Sequence, residues 1–287
     1  MTLLASVLLA LLPAETLPTT DPGLESRKAA EAALTSTLKL VEQAPAKEAM
    51  AALEAASAEA MRVLGEQSLI QARLKDALAS AKAETDAAKA LRRLKRDLES
   101  TALDLVFAPR MESPTPEDWP APTPVGEVAI LDYPTYRLAR ASMQSDSQRG
   151  QNSAFWKLFN HIQSNSISMT APVEMSYAGA KGEEAPQWMA FLYGARSIGT
   201  PGTAGEVEIV DVPAARVISI GRRGAMSERA LKASRDQLDA WMVAHPEWEV
   251  CGPARSMGWN SPMVADAKRY WEVQVHVRRV EQKQAAK

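Results

Sequence analysis

From Ile167 to Tyr177 the chain alternates without interruption. Ile167, Met169, Ala171, Val173, Met175 and Tyr177 are apolar, and Ser168, Thr170, Pro172, Glu174 and Ser176 between them are polar or proline. Strand side chains point to opposite faces at a period of two, so the pattern predicts a strand with one buried face. The stretch before it has the other period. Phe155, Trp156, Leu158, Phe159 and Ile162 share one side of a helix near Arg149–Gln163, which Gln163-Ser164-Asn165-Ser166 ends. A helix on a half-buried sheet is expected, with Glu174 on the solvated face beside Thr170 and Ser176.

The unit recurs. GEVAILDYPTYRL (Gly126 to Leu138) and GEVEIVDVPAARV (Gly205 to Val217) are identical at seven of thirteen positions. These are Gly126/Gly205, Glu127/Glu206, Val128/Val207, Ile130/Ile209, Asp132/Asp211, Pro134/Pro213 and Arg137/Arg216. Each copy leads through a strand pair into a helix and two more strands. In the first copy those last strands are Ile167–Tyr177 and Gln187–Tyr193. In the second, a helix near Ser227–Ala244 precedes strands near Glu249–Ala254 and Tyr270–Val280. Two such units bury their apolar faces best in a shared core. The expected class is α+β, a pseudo-two-fold curved sheet or distorted barrel flanked by two helices.

Upstream the composition changes. Leu24 to Phe107 is rich in Ala, Leu, Glu, Lys and Arg, as long helices are. Pro45 should interrupt the first helix. Leu91, Leu94, Leu98 and Leu105 approximate a seam that Leu34, Leu38 and Val41 can face, which predicts a helical hairpin or short coiled coil. Such a segment is either a self-packed spacer or an arm for self-association or a protein partner. Six prolines between Ala108 and Pro124 predict an extended, semi-rigid linker over 108–124, and hence a C-terminal unit over 125–282. At the start, Leu3 to Leu12 is an apolar run too short to span a bilayer and suited to a signal-peptide core. Residues 1–23 therefore read as an export signal with a polar spacer, and the protein as extracytoplasmic or periplasmic and not transmembrane. A short buried helix is the other reading of the run.

Charge and chemistry narrow the classes. With 33 Lys and Arg against 35 Asp and Glu, the formal net charge is -2, and no polybasic nucleic-acid surface is indicated. The single cysteine, Cys251, excludes an intrachain disulfide and any cysteine-cluster metal site, and Trp248 and Val250 place it in a buried strand. Of three histidines, His245 closes a helix, His276 lies on the polar side of the last strand, and His161, at the rim of the apolar helix face, is the weak metal candidate. No Ser-His-Asp order, phosphate-cradling loop or helical histidine pair is present, so a non-catalytic role is expected. Glu174 is the best isolated candidate for a general base.

"FNHIQ" followed by "ISMTAPVEM", and later "MGWNSP" (Met257 to Pro262) before a Trp-bearing last strand, resemble the SOUL/heme-binding protein family over roughly Val125 to Val280. The resemblance implies a twofold-repeated barrel related to bacterial GyrI-like effector-binding domains. It also implies binding of heme or another tetrapyrrole on an apolar surface beside the first helix of the repeat. On that analogy the contacts are Phe155, Phe159, Asn160, Ile162 and Met169, with Arg137, Lys157, Arg140 and Arg149 near enough in sequence to serve the propionates. Asp132 stands where some members carry a histidine in an "RHYGP"-like context, so no axial ligand carries over. The alternatives are a small-molecule effector-binding or hydrolytic domain of the GyrI-like superfamily, or an envelope scaffold acting through the N-terminal helices.

Overall fold

In the computed structural model, residues 17–143, 148–178 and 185–280 are described. The apolar run Leu3 to Leu12, with the export it suggests, lies outside them. No helix among the described residues is long and apolar enough to cross a membrane.

The N-terminal part forms four helices: α1 (Leu24–Leu40), α2 (Ala46–Leu64), α3 (Leu69–Ala83) and α4 (Ala87–Leu105). The expectation of a hairpin or short coiled coil is corrected. Three breaks divide the segment: Pro45 ahead of α2, Gly65 at positive φ after it, and Asp86, whose carboxylate caps α4 by accepting from the Lys89 N–H. With four short helices, one shared core replaces a two-helix seam. Leu34, Leu53, Leu74, Leu94 and Leu98 are fully buried in it.

The C-terminal part is one sheet with two helices. Its strands are β1 (Val128–Tyr133), β2 (Tyr136–Ser142), β3 (Val173–Ala178), β4 (Ala185–Leu192), β5 (Gly202–Ala204), β6 (Val207–Val212), β7 (Ala215–Arg223), β8 (Trp248–Gly258) and β9 (Tyr270–Arg279). Helix α5 (Gln148–Ser164) joins β2 to β3, and α6 (Glu228–Ala244) joins β7 to β8. The hydrogen-bonded order is β1-β7-β9-β8-β3-β4-β2-β6-β5, antiparallel throughout the named strands. That order has two ends, so the sheet is open and not a closed barrel. The β1 end is sheltered by Pro18 to Thr20, whose backbone bonds to Val128 and Ile130. If β1, β2, β3 and β4 are matched with β6, β7, β8 and β9, the order from β1 to β6 reads the same from either end.

Period two decides the packing. On β9, Trp271, Val273, Val275 and Val277 point toward α6 and share a core with Leu238 and Trp241. On β2 and β4, Ala139, Ala141, Met189 and Phe191 meet Leu158 and Ile162 of α5. The strand predicted from Ile167 begins only at Val173, and Ile167 and Met169 pack on the α5 core from irregular chain. The opposite, helix-free face is not solvated as expected. The proline-rich stretch, read as a spacer, is instead a strap across it. Ala171 N–H donates to Pro114 O, Glu117 N–H to Gly194 O and Thr123 N–H to Glu272, at 2.9, 2.9 and 2.7 Å. Cys251 is also placed differently: it is exposed, next to a register irregularity between Val250 and Ala254 that turns this part of β8 away from the core.

Candidate functional site

Helix α5 forms because its apolar residues fall on one stripe, and that stripe is split between core and surface. Ala154, Leu158 and Ile162 are buried, whereas Phe155 and Phe159, one turn apart, are half-buried and stack at 5.9 Å between ring centroids. Phe155 also meets Phe191 of β4 edge-on at 5.3 Å. Trp156 stands edge-on to both phenylalanines, at 5.7 and 5.6 Å, yet is 57 % exposed. An aromatic ladder thus rises from the core and ends in an indole that faces solvent.

Beside that indole runs a groove of about 680 Å³. One wall is Trp156, Lys157, Asn160 and His161 of α5, and the other is the β5–β6 turn from Ala204 to Val207. Lys157 bridges it through a 2.6 Å ion pair with the exposed Glu206. The His161 Nε2 and the Tyr193 hydroxyl share a hydrogen bond of 2.8 Å, and the two rings lie nearly parallel. Partial burial lowers the His161 pKa and raises that of Tyr193. The neutral imidazole is favoured, with one ring nitrogen already engaged.

Of the residues selected from sequence, Lys157 and Asn160 line the groove together with His161, and Phe155 and Phe159 support its wall. Met169 packs half-buried against the α5 core. Ile162, 3 % exposed, is a core residue and not a contact surface. Arg137 must also be reassigned. Its guanidinium makes a two-pronged ion pair with Asp211 at 2.8 and 2.9 Å and donates to the carbonyls of Ile198 and Gly199, so no donor pair is left for a propionate. Among the described residues no group of three His, Cys, Asp or Glu side chains could hold a metal ion.

The helix-free face holds a second constellation that sequence reasoning missed. Glu174, read as solvated, is 3 % exposed and accepts from the Tyr136 hydroxyl at 3.0 Å. Arg255, 1 % exposed, donates to the Tyr136 oxygen at 2.7 Å, to Gln274 at 2.9 Å and to Glu174 at 3.4 Å, with its guanidinium 4.7 Å from the centre of the Tyr133 ring. Desolvation works against its charge, but Glu174 and the two tyrosine oxygens outweigh that and hold its pKa above the ordinary arginine value. Burial raises both Tyr133 and Tyr136 far above the usual phenol range. Trp119 of the strap lies edge-on to both tyrosines, with centroids at 4.6 and 5.1 Å. A tryptophan within a proline-rich run was the one available signal, since a solvated spacer has no use for a large apolar ring.

A family model described as SOUL heme-binding protein matches residues 125–276, more than half of the chain. The chain belongs to the SOUL heme-binding protein family. The match spans β1 to β8, most of β9, both helices of the sheet and the α5 groove. No curated protein matches this SOUL-family chain in sequence. Among solved structures it is similar to the EcmrR C-terminal domain, at 17 % identity and a TM-score of 0.40, over 53 % of this chain and 98 % of that one. It is also similar to an uncharacterized conserved protein from Listeria innocua, at 11 % identity and 0.41, over 55 % and 94 %. A third is SAV2435 bound to tetraphenylphosphonium, at 10 % identity and 0.35, over 53 % and 93 %.

Proposed function

We propose that this chain binds heme or a related tetrapyrrole, without catalysis, in the groove beside α5. The observation that carries this reading is Trp156, an exposed indole braced by the Phe155–Phe159 stack on the wall of a groove of about 680 Å³. A flat macrocycle requires a rigid apolar plane and an opening in the range of about 300–1,000 Å³ typical of small-molecule sites. The residues present fit such a group by contact. Lys157, released from exposed Glu206, is the cation for a propionate, and Asn160 offers a neutral donor. They do not supply a free axial ligand, because the His161 Nε2 is held by Tyr193. Membership of the SOUL family supports the same ligand class. The apolar run Leu3 to Leu12 supports an extracytoplasmic carrier.

The fold assigned with this function is a duplicated one. Its support is the thirteen-position repeat together with a strand order that reads alike from both ends. Each half gives its first strand to the other half's second strand.

Titration of the purified chain with hemin should give a saturable Soret change near one equivalent. Trp156→Ala should weaken it about tenfold, or ~1.4 kcal/mol, while His161→Ala should leave the band position unchanged. A response equal to that of an unrelated acidic protein would remove the reading. A band that moves on loss of His161 would replace contact binding by ligation.

A further inference from the structure

We propose that the outward face of α4, with the groove between α3 and α4, is a docking surface for an anionic phospholipid bilayer, and that a lipid phosphate enters the groove between Arg73 and Arg96. The surface belongs to the helical part, outside residues 125–276, and so does not rest on the tetrapyrrole reading.

Charge is nearly balanced over the whole chain but not along it. From Ala87 to Arg96 five of ten residues are basic and none is acidic, in a chain of formal net charge -2. Lys89, Arg92, Arg93 and Arg96 are spaced i, i+3, i+4 and i+7, so the helix gathers them on one side, opposite the buried Leu94, Leu98 and Leu105. All four are exposed. Lys89 pairs with Glu84 at 2.6 Å, whereas Arg93 and Arg96 stand 3.7 and 3.6 Å from Asp97, beyond hydrogen-bond reach. Arg92, near Asp86, forms no ion pair among the described residues. The apolar side of α4 is already used by the core, so this helix suits an anionic surface on which it lies flat.

The groove gives that face a place for a phosphate. It measures about 390 Å³, and its walls include Arg73, Ala77 and Ser80 of α3 and Arg96 and Ser100 of α4, with Asp76 and Asp97 as its acids. The Ser100 hydroxyl oxygen accepts from Arg73 and Arg223, at 3.1 and 3.4 Å, which leaves its own hydrogen to donate. Behind Arg73, cations outnumber their acid. Arg73 and Arg223 share the Asp104 carboxylate, and half-buried Arg222 has only Ser234 and Gln237 as acceptors, both neutral. Desolvation, then the charge of Arg73, brings the Arg222 pKa down to about 10, against Asp104. An anion in the groove relieves that excess.

An apolar residue beside the cations favours a bilayer over other polyanions. The Lys95 ammonium donates to the Val41 carbonyl at 2.9 Å and so brings the end of α1 against α4, where Leu40 is 80 % exposed. A leucine flanked by cations inserts among acyl chains beneath the headgroups, and a nucleic-acid backbone offers it no such phase.

The test is flotation of the full chain with vesicles of phosphatidylcholine, alone or with about one-third phosphatidylglycerol. The chain should float only with the anionic vesicles, and about 0.5 M salt should release it. Each cation at the surface is worth about fivefold, so Arg92→Gln combined with Arg93→Gln should weaken binding about twentyfold. Leu40→Ser should weaken it about threefold. Equal flotation with both vesicles, or flotation undiminished by the double variant, overturns the proposal. So does capture of a single-stranded oligonucleotide as tight as that of the vesicles and unchanged by Leu40→Ser, which would assign the face to nucleic acid. Should a variant lose its near-UV dichroism, the native chain decides. Soluble dihexanoyl phosphatidylglycerol must shift the amide resonances of Ala77, Ser80 and Ser100, and resonances unmoved at saturating lipid, or moved equally by inorganic phosphate, overturn the lipid site. Hemin binding should be unchanged in the double variant, so failure at one site is distinguishable from failure at the other.

Discussion

His276 shows how much of a side chain's chemistry depends on what covers it. The alternation along β9 correctly separates it from Trp271, Val273, Val275 and Val277, but it cannot tell solvent from a covering loop. In the structure the ring is half-buried, its Nδ1 is 3.1 Å from Pro253 O, and Gly252 passes close beside it. Desolvation lowers its pKa and the Arg255 charge adds to this, against the Pro253 carbonyl and Glu174. A histidine whose folded pKa lies below its unfolded value takes its proton first in the unfolded chain. Its contribution to stability is therefore complete above an unfolded pKa of about 6.5 and declines as pH falls below it. His161 shifts in the same direction by desolvation. Between pH 7.5 and 5.5 the melting temperature of His276→Gln should fall less than that of the native chain. Equal falls in both would show that His276 is not a source of the dependence. Glu174 teaches the same lesson: its face was legible in the alternation, its burial was not.

The repeated Asp and Arg acquire a reason only once strands are paired. Asp132 and Arg137 belong to one copy of the repeat, Asp211 and Arg216 to the other, and sequence places them in matched positions without stating a partner. The register sets Asp132 opposite Arg216 across β1 and β7, and Arg137 opposite Asp211 across β2 and β6. Both pairs are two-pronged, at 2.7 and 2.9 Å and at 2.8 and 2.9 Å. Each copy thus supplies the acid for the other's base, and Arg137 was legible as conserved chemistry within the repeat but not as structural. Packing of the strap on the sheet has a similar local requirement. At Gly221 a Cβ would run into the Thr123 carbonyl and come within 2.8 Å of Pro124 O. Gly221→Ala should therefore destabilise the chain by about 1–3 kcal/mol, the usual range for overpacking. Denaturant unfolding with an unchanged midpoint would mean that the strap does not lie where the structure puts it.

At the scale of the molecule, buried polar bonds join the helical part to the sheet. Asp104 of α4 receives Arg73 of α3 and Arg223 of β7, both at 2.5 Å. Arg27 of α1 donates to the carbonyls of Asp104, Leu105 and Val125, and Glu127 accepts from Ser68 and the Leu69 N–H. Burial raises the pKa of Glu127, against those donors and the Arg27 charge. Removing one partner of a buried ionic cluster strands the others, so Asp104→Ala should cost roughly 2–4 kcal/mol, less than a wholly enclosed pair because Arg73 is partly exposed. It should also split a single calorimetric transition into two, one for the helices and one for the sheet. A single transition at an unchanged temperature would deny the coupling.

By itself the sequence determined the helix and strand periods, the repeat and the family, because these are written in nearest-neighbour spacing and in local wording. Which side of the sheet is dry, which arginine is already spoken for and what Trp119 does were decided by residues far apart in the chain. Burial and ion pairing are set by whichever surface arrives opposite a side chain. Periodicity can orient that side chain, but only the folded molecule supplies what it faces.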